Sequence, residues 1–162
     1  MHSYAAGTYT VTLTASNACD ISTLVSNNLI TALTAFQAWQ IQYFGSTTNP
    51  AAAANADPDG DGQNNLAEFL SGTNPTNSAS GLHVTSVAPS GNDVVVTWST
   101  AGGTTNVVQS TAGNGNGGYS TNFTDLSGLI VITGSGDQST NYTDAGGATN
   151  SPARYYRVRL AP

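Results

Sequence analysis

The stretch Asp93 to Thr100, DVVVTWST, reads as a β-strand with Val94, Val96 and Trp98 on one face. Side chains two residues apart share a face of a strand, and branched or aromatic groups fill a pleated surface well. The reading extends to both sides. Leu82 to Ala88 precedes it; Thr105 to Ser110, Leu129 to Thr133, Ser139 to Thr143 and Arg154 to Leu160 follow, each bounded by Gly, Pro, Asn and Ser. Tyr156, Val158 and Leu160 line one face of the last. Short strands at this spacing predict a mainly β fold, with a β-sandwich over residues 81–162.

Ahead of the sandwich, residues 34–80 carry a different pattern. DPDGDGQNNLAE, Asp57 to Glu68, places carboxylates at Asp57, Asp59 and Asp61, glycine at Gly62 and a closing Glu68, which are positions 1, 3, 5, 6 and 12 of the EF-hand loop. Alternate acidic residues in a tight turn point inward together, and Gly62 permits the bend. In a calcium loop, Gln63 would give its backbone carbonyl, Asn65 its side chain directly or through water, and Glu68 both carboxylate oxygens. The competing reading is a solvated acidic turn that caps a helix at Asn64 to Leu70. Position 8, apolar in paired EF-hand loops, is Asn64, and no second loop follows. The run resembles the solitary calcium modules of dockerins and thrombospondin type 3 repeats, and GTNPTNSAS, Gly72 to Ser80, resembles their tail. The resemblance implies Ca2+ bound by a loop that staples a linker. Before the loop, Phe36, Trp39 and Tyr43 in TAFQAWQIQYF, Thr34 to Phe44, fall at helical spacing, with Gly45 as the cap. Such a stripe reads as a packing face. Ser46 to Ala54 is a loose connector.

Residues 1–33 open with the most regular strand. From Thr8 to Ala15, TYTVTLTA sets Tyr9, Val11, Leu13 and Ala15 on one face and threonines on the other. Ser16 to Asp20 makes a turn, and Ile21 to Ala32 offers a second strand. The segment resembles the closing hairpin of a PKD domain, a small immunoglobulin-like sandwich. Two strands alone bury no face and are marginal in water, so the hairpin is expected to lean on something else. At the other end, VVVTWST, NVVQST and ARYYRVRLAP resemble the B, C and F strands of fibronectin type III-like domains of secreted bacterial proteins. That resemblance implies one further edge strand beyond Pro162.

Composition narrows the function classes. Of 162 residues, 3 are basic and 9 acidic, giving a net charge of −6, and no lysine occurs. All three arginines, Arg154, Arg157 and Arg159, lie in the last strand, and the excess negative charge repels nucleic acid. A chain with 7% charged residues, its polarity carried by hydroxyls and amides, reads as an extracellular β-protein. Its single cysteine, Cys19, excludes an internal disulfide and reads as buried and inert. No run approaches the roughly 18 apolar residues of a membrane span. The opening has no basic, apolar and cleavage-site pattern, and the chain is expected to be a piece of a longer secreted precursor. Asn122-Phe-Thr and Asn141-Tyr-Thr permit glycans.

No catalytic motif occurs. His2 stands at the terminus, His83 in a strand, and GNGNGG, Gly113 to Gly118, does not run into a helix as a phosphate loop does. The expectation is a non-enzymatic extracellular structural protein, a calcium-stabilised subunit of a filament or surface assembly made of copies of itself joined head to tail. Thr8 to Ala15 would be the donated strand, since an orphan strand and a missing edge strand are complementary defects; the hairpin folding back on its own sandwich is the intramolecular alternative. The alternative is an accessory module, for carbohydrate binding, sorting or adhesion, of a larger secreted protein.

Overall fold

A computed structural model describes residues 3–114, 116–149 and 153–162. Met1, His2 and Gly115 of the glycine-rich loop lie outside the described residues, as do 150–152. The chain divides into two compact units, Met1–Ala52 and Ala53–Pro162, and the division falls inside the connector between the two helices.

In the first unit, β1 (Gly7–Ser16) and β2 (Ile21–Ala32) form an antiparallel hairpin. Its turn is made by Asn17, whose Oδ1 accepts the N–H groups of Cys19 and Asp20 at 2.8 and 2.9 Å. Cys19 is exposed there, which corrects the expectation of a buried thiol. Its place is dictated by the turn, not by its apolar character. The register sets Tyr9 opposite Ile30, Val11 opposite Ser26 and Leu13 opposite Leu24, and it slips between Tyr9 and Val11. The alternation is thus realised as a strand face. Tyr9 and Val11 are half-buried, while Leu13 and Leu24 keep 67% and 68% of their surface exposed.

The helix α1 (Ala35–Phe44) is fixed by its ends. Thr34 Oγ1 accepts the Gln37 N–H at 3.1 Å, and the Gln37 side chain accepts the Thr34 N–H at 2.9 Å, a reciprocal cap. Gly45 closes it at φ 73°, its N–H donating to Ile41 O. The Trp39 ring stands 5.5 Å from Phe36 and 5.1 Å from Tyr43, so the stripe is an aromatic stack along one face.

The second unit is mainly β, a sandwich of two antiparallel sheets. One orders β3 (His83–Ser90), β4 (Asp93–Ala101) and β8 (Asp137–Asp144). The other has β5 (Thr105–Ala112) at its centre, β9 (Arg154–Leu160) on one side, and two short strands, β6 (Thr124–Asp125) and β7 (Ile130–Val131), sharing the other. Val94, Val96, Trp98 and Val108 form the core between the sheets, joined by Tyr142, Tyr156 and Val158. Trp98 is fully buried, its indole N–H donating to Asn106 Oδ1 at 2.9 Å.

Two sequence readings change here. Leu129 to Thr133 contracts to β7, and β6 was not foreseen, because Ser127 sits between them. Its hydroxyl accepts the Val108 N–H at 2.9 Å, so a side chain stands in for a ladder bond and splits the edge. Nothing in a period of two signals that substitution.

Candidate metal centre

The acidic run folds as a turn leading into α2 (Asn65–Ser71), within the same compact unit as the sandwich. Asp57 opens it, accepting the Gly60 N–H on Oδ1 at 2.9 Å and the Gly62 N–H on Oδ2 at 3.0 Å. These two bonds wrap the chain round the first carboxylate. Gly62 at φ 93° lies in the left-handed region, so the glycine at position 6 has a backbone cause. Asp59 Oδ1 takes the Asp61 N–H at 3.3 Å, and Asp61 takes the Gln63 N–H at 2.7 Å and the Gln63 side-chain amide at 3.3 Å. One oxygen from each of Asp57, Asp59 and Asp61 lies within 4.8 Å of the others. Such a cluster can hold a metal ion, and an all-oxygen donor set suits a hard cation.

The other three expected ligands lie on or beside α2. Asn64, and none of the aspartates, caps the helix, accepting the Ala67 N–H at 2.9 Å. Asn65 is fully buried and donates its side-chain N–H to Ala53 O at 2.7 Å, which ties the helix to the entering chain. The Gln63 side chain is turned to Asp61. Glu68 is the decisive residue. It is fully buried, and neither carboxylate oxygen has a hydrogen-bond partner. The Thr73 hydroxyl, engaged with Ser71 at 2.9 Å, offsets little of this. Burial first, then repulsion from Asp59, Asp61 and Asp57, pushes the Glu68 carboxyl up to about 7. Asp59 is raised too, chiefly by burial, and its Oδ2 is a buried atom without a partner. Buried carboxylate oxygens left unpaired are costly, and a cation among them would remove that cost. The residues present therefore fit a metal ion.

The tail after α2 fastens the turn to the sandwich. Ser80 accepts the Asn74 N–H at 3.0 Å and donates to Asp137 Oδ1 at 2.5 Å, at the start of β8. A Cβ on Gly81 would stand 2.5 Å from Gln63 Nε2 and 3.0 Å from Asp61 Oδ2, so the loop side chains meet the backbone two residues ahead of β3. Neither Ser80 nor Asp137 was read as part of the site. The only signal was the likeness of GTNPTNSAS to the tails of calcium modules.

Two acidic groups outside the loop, Asp144 and Asp125, brace the sandwich. Asp144 accepts from Arg154 at 2.5 Å and from the Tyr156 hydroxyl at 2.7 Å; burial and that carboxylate push the Tyr156 phenol up to about 12. Asp125 pairs with Arg159 at 2.7 Å and with Gln109 at 2.6 Å, and the Arg159 hydrogen bond lowers its carboxyl first. His83 Nδ1 lies 3.0 Å from Ser99 Oγ, whose hydrogen is directed at Gly81 O, 2.5 Å away.

The fold and site define a β-sandwich with an acidic turn-helix loop built onto one end. Comparison with protein-family models, characterised proteins and solved structures gives no match. No described helix is long and apolar enough to cross a membrane.

Proposed function

We propose that this protein is a non-enzymatic extracellular structural subunit, stabilised by Ca2+ at Asp57 to Glu68 and joined to copies of itself by donation of β1. The observation that carries the assembly is the open apolar face of the hairpin. Tyr9, Val11 and Leu13 alternate with threonine, yet Leu13 and Leu24 stay two-thirds exposed. An apolar strand face left in water is an interaction surface. Calcium is supported by the oxygen donor set, the EF-hand spacing and the unpaired Glu68 carboxylate. Secretion is supported by the scarcity of charge, and open head-to-tail joining would give a filament.

The test is the oligomeric state of the purified chain in calcium, by light scattering and electron microscopy. Deleting residues 1–16 should give monomers. Val11→Asp should weaken assembly far more than Thr12→Asp, because one step along a strand moves a charge to the opposite face. A chain that stays monomeric at high concentration, or equal effects of the two variants, rejects strand donation.

A second reading, an accessory module of a larger secreted protein that binds polysaccharide, is favoured by one feature. Tyr119 is 53% exposed, its ring 4.7 Å from Tyr155 and 5.9 Å from Phe123, over which Arg157 sits at 4.3 Å. Sugars stack on such ring faces. Retention of the chain on an insoluble polysaccharide, lost in Tyr119→Ala, would move this reading ahead.

A further inference from the structure

Resting on the strand-donation reading, we infer that the acceptor is the outer edge of β9, and that its occupant is the intact β1–β2 hairpin of a second copy. The edge itself is the first ground. β9 pairs with β5 on one side, and among the described residues no strand pairs its other side. The ladder is bracketed by Ala161 N–H to Thr105 O at 2.8 Å and Gly113 N–H to Ala153 O at 2.6 Å. Odd-numbered residues therefore bond to β5, and the N–H and C=O of Tyr156 and Val158 point away from it. An unpaired row of this kind is a template for another strand.

Other edges are closed to addition by their own chemistry. β3 contains Pro89, which has no N–H, and its register slips between Val84 and Ser86. The β6 and β7 edge is broken at Ser127. β8 is continuous, but its side chains are polar and exposed at alternate positions. β9 is an unbroken run with neither proline nor glycine, and its two central arginines are engaged within its own sheet, Arg157 with Gln109 and Arg159 with Asp125.

A cleft lies alongside this edge. Where β3 and β9 flank one another, a space of about 240 Å³ is lined by Val87, Pro89, Val94, Ala153, Tyr156 and the Asp144-paired Arg154. Val87 is half exposed in it. A strand added beside β9 would carry its inward side chains over the apolar part of this wall, Val87, Pro89 and Val94.

The hairpin is the occupant that matches. β1 pairs only with β2 among the described residues, so its other edge can add to β9 without the hairpin opening. Val11, Leu13 and Ala15 supply an uninterrupted apolar alternation to follow Tyr156 and Val158.

Hydrogen exchange on the full chain in calcium tests this, comparing dilute monomer with assembled protein. The amides of Tyr156 and Val158 should slow by about tenfold or more on assembly, with no change along β8. Val87→Asp should weaken assembly by about tenfold or more, and Val131→Asp, the same change on the opposite rim, should not. Assembly that leaves Tyr156 and Val158 unprotected overturns the acceptor while strand donation survives. Protection that persists after deletion of residues 1–16 overturns the hairpin as occupant. Absence of any association overturns both.

Discussion

Glu68 places a carboxyl group where water does not reach it, and that single fact separates two behaviours of the loop. Without a cation, the buried unpaired carboxylate destabilises the fold; with one, it is a ligand. Glu68→Gln keeps the shape and removes the charge. In chelator at neutral pH the variant should melt higher than the wild type, by on the order of 1 to 3 kcal/mol of stability, and in calcium it should lose most of the cation's effect. A variant that melts lower than the wild type in both conditions would mean that Glu68 serves packing alone. Spacing marked Glu68 as position 12, but its depth was not legible, since burial is set by tertiary packing and not by spacing along the chain. Cys19 shows the opposite limit. Apolar character suggested the interior, and the Asn17 turn decided otherwise. Trp98 was legible by its place on an alternating face; its partner Asn106 was not. Trp98→Phe should cost about 1 to 3 kcal/mol by thermal melting, because Asn106 Oδ1 would stay buried without its donor.

At the scale of elements, helices were legible where their caps are local. Gly45 is read as a cap from its neighbours; the Thr34–Gln37 cap is as local but formed no part of the sequence reading, which also put Asn64 inside the helix it caps. The strands were legible by period, and the split edge at β6 and β7 was not, because a hydroxyl from outside the strands makes the bond. The loop as an element should respond to pH in a direction set by Glu68, raised from 4.5 to about 7. Between those values the metal-free folded chain keeps a proton that the unfolded chain has released. Its stability is therefore full below pH 4.5 and falls as pH rises to 7, by on the order of 3 kcal/mol. With calcium the trend reverses, since a proton on Glu68 competes with the cation. Melting curves in chelator and in calcium should diverge as pH rises from 5 to 7; parallel curves would remove Glu68 from the site.

At the scale of the molecule, calcium that binds only the folded loop adds stability by mass action. At a hundred times the dissociation constant the gain is about 2.7 kcal/mol, a rise of about 5 to 10 °C in melting temperature for a domain of this size. Chelation should reverse it, and the double variant Asp59→Ala, Asp61→Ala should show no response. Equal melting of the wild type with calcium and with chelator would reject the calcium loop. The sandwich as a whole was legible because turn residues punctuate the strands. Which strands pair was not, for β4 finds β8 and β5 finds β9 across long loops, guided by packing between sheets.

The confinement of every arginine to β9 has a consequence for digestion. With no lysine in the chain, trypsin has no site ahead of Arg154, even in the unfolded state. Its sites are Arg154, Arg157 and Arg159, in a strand held by β5 and by side-chain bonds to Asp144, Gln109 and Asp125. Cleavage of the native protein thus reports the loosening of one strand and nothing else. Native chain should release its last residues slowly while the rest stays whole, and any second strand laid along that edge should slow the release further.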